Sequence, residues 1–479
     1  MKLSKISLAV AGVALAMPAF AIVADTDPAR VTVRVSGATA MDGGVLEATL
    51  KMCKPNTLTA YTASNQFVYY CNAQGVSAAQ TLANGLAKID LPDNTKLAVH
   101  KHSVGGSGNG VTPIDANTLL PYLNLNSISG VATSVCPTPV ATTAPSGAAY
   151  TLSACTTTTG IVATVADTTK IGISDVEPSF FGGPAEYDSL TAEPLATVVF
   201  GVPVTKVVYN LLQAKQKTDG IISATCPAGD VTEACMPSLS TGQITSLYTQ
   251  TGQTWTVVAG ITVPGDDTVY VARRADTSGT QKSYEAVIAR TTNGNPAAKS
   301  CQVNVDPFVS GPAALDNNAV NNTCNGAELI VNNSGSGQVA ACLNRHQDGI
   351  TSAGGAPVVT ALPRGAVGTL TTEALTSSST KFLFAKVNGK APTLANVNTG
   401  EYTMYVDSSL NTKTGAVAGT DLAYYNAFKK QFAISPVPQP FGNAGLESLN
   451  VVTGITGGNP FSRLVGTEVN NCQQGRLIF

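Results

Sequence analysis

The chain has 479 residues, of which 28 are basic and 30 acidic, for a formal net charge of −2, and only 12% are charged. So even a balance excludes a strongly basic nucleic-acid face. No apolar run after residue 21 reaches the roughly 20 residues needed to span a bilayer, and the length is enough for two domains with sizeable cores.

The N-terminus reads as an export signal. Lys2 and Lys5 form a positive start, Ile6 to Ala16 a short apolar core, and Ala19-Phe20-Ala21 a small-x-small cleavage site. Residues 1–21 are therefore expected to be removed, leaving 26 basic and 30 acidic residues in a periplasmic or secreted protein. No Cys follows the cleavage site to carry a lipid. Ten cysteines lie beyond it: Cys53, Cys71, Cys136, Cys155, Cys226, Cys235, Cys301, Cys324, Cys342 and Cys472. An even count in an exported chain predicts disulfides rather than metal ligands or a nucleophile. Local pairing gives Cys53–Cys71, Cys136–Cys155 and Cys226–Cys235; the last four have more than one connectivity.

Arg30 to Val35 alternates as a half-exposed strand does. It feeds the small-residue turn Ser36-Gly37-Ala38-Thr39-Ala40-Met41-Asp42, where Thr39 would face a ligand or Asp42 would act as an ordinary N-cap, and a helical pattern through Val45, Leu46, Leu50 and Met52. Residues 53–95 read as a Cys-closed insertion. Lys96 to His102 resumes a strand, followed by the flexible turn Val104 to Gly110. His100 and His102 share one strand face but lack a third ligand nearby, so no metal site is expected. Residues 111–169 form a second, Thr- and Ser-rich insertion, and Lys170 to Asp175 is a buried strand ending in a carboxylate. Ala196 to Val208 is a long apolar strand pair or crossing segment suited to joining two lobes.

Farther on, Gly242 to Tyr248 is helical, with Trp255 beyond it as a packing residue. Thr268 to Ala272 reads as a strand, and Lys282 to Arg290 as a helix with Tyr284, Val287 and Ile288 on one face. Between them lies Arg274-Ala275-Asp276-Thr277-Ser278-Gly279-Thr280. A turn opening a helix leaves backbone N–H groups unpaired with the helix dipole behind them, which favours an anion. Ser278 and Thr280 add hydroxyls, and Arg274 a donor fork suited to a tetrahedral oxyanion. Asp276 is placed to hold the Arg274 guanidinium. A plain helix cap and a surface ion pair would account for the same residues. Residues 291–362 form a Cys- and Asn-rich excursion with a helix from Val339 to Arg345. Strands follow near Gly365 to Leu370, Phe382 to Ala385 and Tyr402 to Asp407, then a helix from Asp421 to Phe432.

In this order the turns resemble those of the periplasmic phosphate-binding proteins of phosphate ABC transporters. Gly37-Ala38-Thr39-Ala40 is similar to that family's Gly-Ala-Thr-Phe turn, with Ala40 in place of Phe. Gly105-Gly106-Ser107-Gly108 is similar to its Gly-Ser-Ser-Gly loop, with Gly106 where a binding Ser is expected. Ile173-Ser174-Asp175 is similar to its Ala-Ser-Asp, and residues 274–280 match its Arg-Ala-Asp-Gly-Ser-Gly-Thr most closely. The resemblance implies an α/β, two-lobe type II periplasmic-binding-protein fold, with a ligand cleft between lobes joined by crossing strands. Lobe 1 would take residues 30–199 and 397–479, with insertions 53–95 and 111–169 flanking the cleft, and lobe 2 residues 200–396.

The implied function is capture of phosphate or a related oxyanion, with no cofactor, by Thr39, Ala40, Gly106, Ser107, Asp175, Arg274, Ser278, Gly279 and Thr280, with Asp276 behind them. Asp175 would take the proton that phosphate keeps and sulfate lacks. The expected partners are the anion and the membrane component of an ABC transporter, not nucleic acid. A secreted structural protein that borrowed the fold and self-assembles is the alternative. An enzyme is not expected, because no Ser-His pair offers an activated nucleophile and the chain has 3 His.

Overall fold

The computed structural model describes residues 30–63, 65–77, 88–124, 136–144, 146–155, 164–182, 187–289, 329–353, 356–359, 362–375, 381–432, 446–447, 459–465, 468–471 and 476–477. The expected signal segment 1–21 and Cys301, Cys324 and Cys472 lie outside these residues.

The protein is α/β, built on one large mixed sheet. Strand Val31–Gly37 runs parallel to Lys96–His102 on one side and to Ile171–Ser174 on the other. Val33, Val35, Leu97, Val99, Ile171 and Ile173 share one face, by register and side-chain alternation, and are buried. Helices Asp42–Met52 and Gly419–Phe432 cover that face through Val45, Met52, Tyr424 and Phe428.

Beyond Ile171–Ser174 the sheet continues antiparallel through Tyr405–Lys413 to the 16-residue strand Leu190–Thr205. That strand is shared. Residues 190–199 pair with Tyr405–Lys413, and Val202 to Thr205 pair with Phe382–Val387. Val204 also pairs with Val367 of strand Ala366–Gly368, which leads on to Tyr270–Arg274 and Ile330–Asn333 in parallel. Ala196 to Thr205 are all buried, so the run shows no alternation, as expected of a strand covered on both faces. It stops where Lys206 opens the helix Lys206–Thr218. The expected crossing segment is therefore one continuous strand that ends before Val208.

The described parts of the two insertions contribute strands. Thr59–Ala63 and Gln66–Asn72 form a hairpin that adds to Lys96–His102. Ala149–Ala154 then pairs with Thr59–Ala63, and Val140–Thr143 with Ala149–Ala154. They extend the sheet sideways, and the remaining pair, Leu119–Leu123 with Thr164–Thr168, makes a separate ribbon. Tyr61, Val68, Ala98 and Leu123 form a small second core there with Cys136 and Cys155. Disulfides Cys53–Cys71, Cys136–Cys155 and Cys226–Cys235 pair locally, as the spacing predicts, and Cys342 is also disulfide-bonded. Trp255 is fully buried at the start of a short helix, in the packing role expected of it. No helix of the described residues is long and apolar enough to cross a membrane.

Candidate anion site

Four turns meet at one place in the structure. The first leaves strand Val31–Gly37 as a single turn of 3₁₀ helix, Thr39–Met41, that opens the helix Asp42–Met52. Gly37 is required there: its φ is +110°, and a Cβ would strike the Ile173 carbonyl and lie 2.7 Å from the Gly110 Cα. The second, after Lys96–His102, passes through Gly105 and Gly106, both at positive φ, into the turn Gly106–Gly110. The third is Asp175, at the end of Ile171–Ser174. The fourth leaves Tyr270–Arg274 and opens the helix Gly279–Tyr284, whose N-cap hydroxyl is Ser278.

These turns are in direct contact. The Gly108 N–H donates to the Thr277 carbonyl at 2.9 Å. The Asp175 N–H donates to Ser107 Oγ at 3.0 Å, and Thr280 Oγ1 donates to Asp175 Oδ2 at 3.1 Å. Arg274 Nη1 donates to Thr39 Oγ1 at 3.0 Å. A Cβ on Gly106 would lie 3.3 Å from Arg274 Nη2 and from the Ser278 Cα. Thr39, Gly106, Ser107 and Asp175 thus share one neighbourhood with Arg274, Ser278, Gly279 and Thr280. Ala40 sits on the first turn, buried in the main core.

Arg274 is fully buried, and its guanidinium also reaches the carbonyls of Asn333 at 3.3 Å and Ser334 at 2.7 Å and the Ser336 hydroxyl at 3.0 Å. Burial lowers it to about 10 against the opposing pull of Asp175 and Asp42, which leaves it charged at neutral pH. Burial raises the Asp175 carboxyl to about 6, while Arg274, Thr280 and Ser107 pull it down. Its Oδ1 is buried and accepts nothing. The backbone N–H groups of Thr39, Ala40, Ser107, Gly279 and Thr280 also meet no acceptor among the described residues. A cationic fork, several unpaired amides and one unpaired carboxylate oxygen can together hold an oxyanion that carries a proton.

One expected contact is corrected. Asp276 does not hold Arg274; its Oδ1 pairs with Arg273 Nη2 at 2.6 Å, and its side chain is 59% exposed. Adjacent strand residues point to opposite faces, and the turn leaves Asp276 on the Arg273 side.

Lys101 and Glu373 near the site escaped sequence reasoning, and Asp42, expected as an N-cap, lies inside the first turn of its helix, whose N-cap is Met41. Lys101 is fully buried, with Nζ donating to the Gly37 carbonyl at 2.7 Å, the Ala38 carbonyl at 3.3 Å and Ser103 Oγ at 2.8 Å. Asp42 lies 3.3 Å from that Nζ and accepts from Ser103 Oγ at 2.6 Å. Burial lowers Lys101 and raises Asp42, and each charge counters the other's shift. Glu373, half-buried, accepts from the Gly43 N–H; burial and the charges of Asp42 and Asp175 raise its carboxyl to about 8. An inward Lys beside a turn carried the only available signal, and in Lys96 to His102 it looks like ordinary strand alternation.

No family model and no curated protein matches the chain. Among solved structures it is similar to a protein described as a phosphate ABC transporter substrate-binding protein with bound phosphate from Clostridium perfringens, at 12% identity and TM-score 0.41, covering 88% of this chain and 100% of that one. It is also similar to an ABC-type phosphate transport receptor from Vibrio cholerae, at 13% identity and TM-score 0.35, covering 83% and 94%. The third is PstS from Borrelia burgdorferi, at 11% identity and TM-score 0.33, covering 87% and 97%.

Proposed function

We propose that this chain is an exported solute-binding protein that captures inorganic phosphate, or a related oxyanion that keeps a proton, between two lobes. The lobes are residues 30–199 with 397–479, and 200–396, hinged at the shared strand. The observation that carries the reading is the meeting of Arg274 and Asp175, from opposite sides, among amides without acceptors. The anion takes the place of Thr39 at Arg274, while Thr280 stays on Asp175 Oδ2. Each charge-assisted bond contributes roughly 1.5–3 kcal/mol. The proton on the anion donates to Asp175 Oδ1; sulfate would set a second negative oxygen there instead. An ABC-type membrane transporter is the partner this reading implies.

Calorimetry on the mature protein tests it. Phosphate should bind and sulfate should not, and Asp175→Asn, which can donate to either ion, should erase the preference. Equal affinity of the unaltered protein for both ions would reject the reading.

The alternative, a self-assembling surface protein, has support in the edge strand Val140–Thr143. It carries no charge, and Val140 is 64% exposed, so it lacks the charged side chains that commonly block edge pairing. Fibres or arrays in electron micrographs would decide for that role.

A further inference from the structure

Lys101 belongs to none of the four turns, yet its ammonium spans the first of them. It projects from the last turns of strand Lys96–His102, where Lys101 lies beside Val35 in register, and reaches past the end of the neighbouring strand. The three acceptors it meets are the Gly37 carbonyl, the Ala38 carbonyl and the Ser103 hydroxyl, with the Asp42 carboxylate 3.3 Å away. An ammonium has three protons to give, so none is left over for a ligand.

The consequence lies in the peptide planes. The Gly37–Ala38 peptide is fixed at both ends: its oxygen by Lys101, and its N–H by the Ile173 carbonyl at 2.8 Å. The next peptide, Ala38–Thr39, has its oxygen on Lys101 and on the Met41 N–H. In a trans peptide the N–H points opposite to the C=O. With the Ala38 oxygen drawn toward Lys101, the Thr39 N–H faces away from it and finds no acceptor among the described residues. The same residue's hydroxyl is the one that meets Arg274.

We propose that Lys101 is a positioning residue of the anion site: its grip on the Gly37 and Ala38 carbonyls aims the Thr39 amide at the bound oxyanion, while Asp42 balances its charge. The proposal rests on the oxyanion reading above. Its rival is that Lys101 serves only as the buried counter-charge of Asp42.

The double variant Lys101→Met/Asp42→Asn separates the two, because it removes both charges at nearly constant volume and leaves neither unpaired. Phosphate titrated by calorimetry into the full mature chain should bind the double variant at least tenfold more weakly than the wild type. Asp42→Asn alone, which keeps the ammonium on its carbonyls, should stay within about threefold, since the amide is still aimed. The Thr39 amide resonance should move on phosphate addition to the wild type. A double variant that binds phosphate as the wild type does overturns the proposal and leaves the anion reading standing. A wild type that gives no heat with phosphate overturns both. Should the double variant fail to fold, the wild-type spectrum decides: a Thr39 amide indifferent to bound phosphate rejects the assignment.

Discussion

Gly279 sits where no side chain fits. A Cβ there would collide with Ser107 Oγ and lie 2.8 Å from the Asp175 Cβ, so Gly279→Ala must push apart the turns that the site depends on. We expect phosphate binding to fall at least tenfold in calorimetry, with a stability loss of about 1–3 kcal/mol from overpacking in urea unfolding. Wild-type affinity in this variant would mean the turns do not close on the ligand. Residue by residue, the site was legible where its chemistry is local. Ser278 caps a helix, Asp175 ends a strand and Arg274 precedes a turn, and each can be read from its neighbours. What could not be read is pairing across space. Proximity in sequence pairs Asp276 with Arg274, but strand alternation gives it to Arg273. Lys101 finds two of its three acceptors, the Gly37 and Ala38 carbonyls, more than sixty residues earlier in the chain.

The edge hairpins show the same limit for elements. Helices such as Ser336–Gln347 and Gly419–Phe432 appear in the sequence through apolar spacing. Thr59–Ala63 and Ala149–Ala154 do not, because their small polar residues gain strand character only from pairing with neighbouring strands. Cys136–Cys155 joins two ends of the segment that carries Val140–Thr143 and Ala149–Ala154. Replacing both cysteines by Ala should cost about 3 kcal/mol in urea unfolding. It should leave phosphate affinity intact, since these strands add to the far side of the sheet from Arg274.

At the scale of the molecule, buried carboxyls set a pH dependence. Glu177 accepts from the Asn471 N–H at 2.9 Å and Nδ2 at 2.7 Å, yet burial, with Asp407 beside it, raises its carboxyl to about 7. The folded chain therefore holds that proton more tightly than the unfolded one. Its stabilising contribution is complete below the unfolded value near 4.5 and is lost as pH rises through 7. Buried His100 and His346, lowered to about 3, act in the opposite sense and only below about pH 6.5. Glu177→Gln isolates the carboxyl. Relative to wild type, its Tm should rise between about pH 4.5 and 7 and level off above that, and a constant offset in differential scanning calorimetry would refute the assignment.

The strand Leu190–Thr205 has a consequence for how the chain comes apart. It pairs with Tyr405–Lys413 over residues 190–199 and with Phe382–Val387 over residues 202–205. A cut between Val199 and Val202 would leave both sets of partner strands with a raw edge. Heating should therefore register as a single endotherm, because melting one half strips its neighbour of a wall.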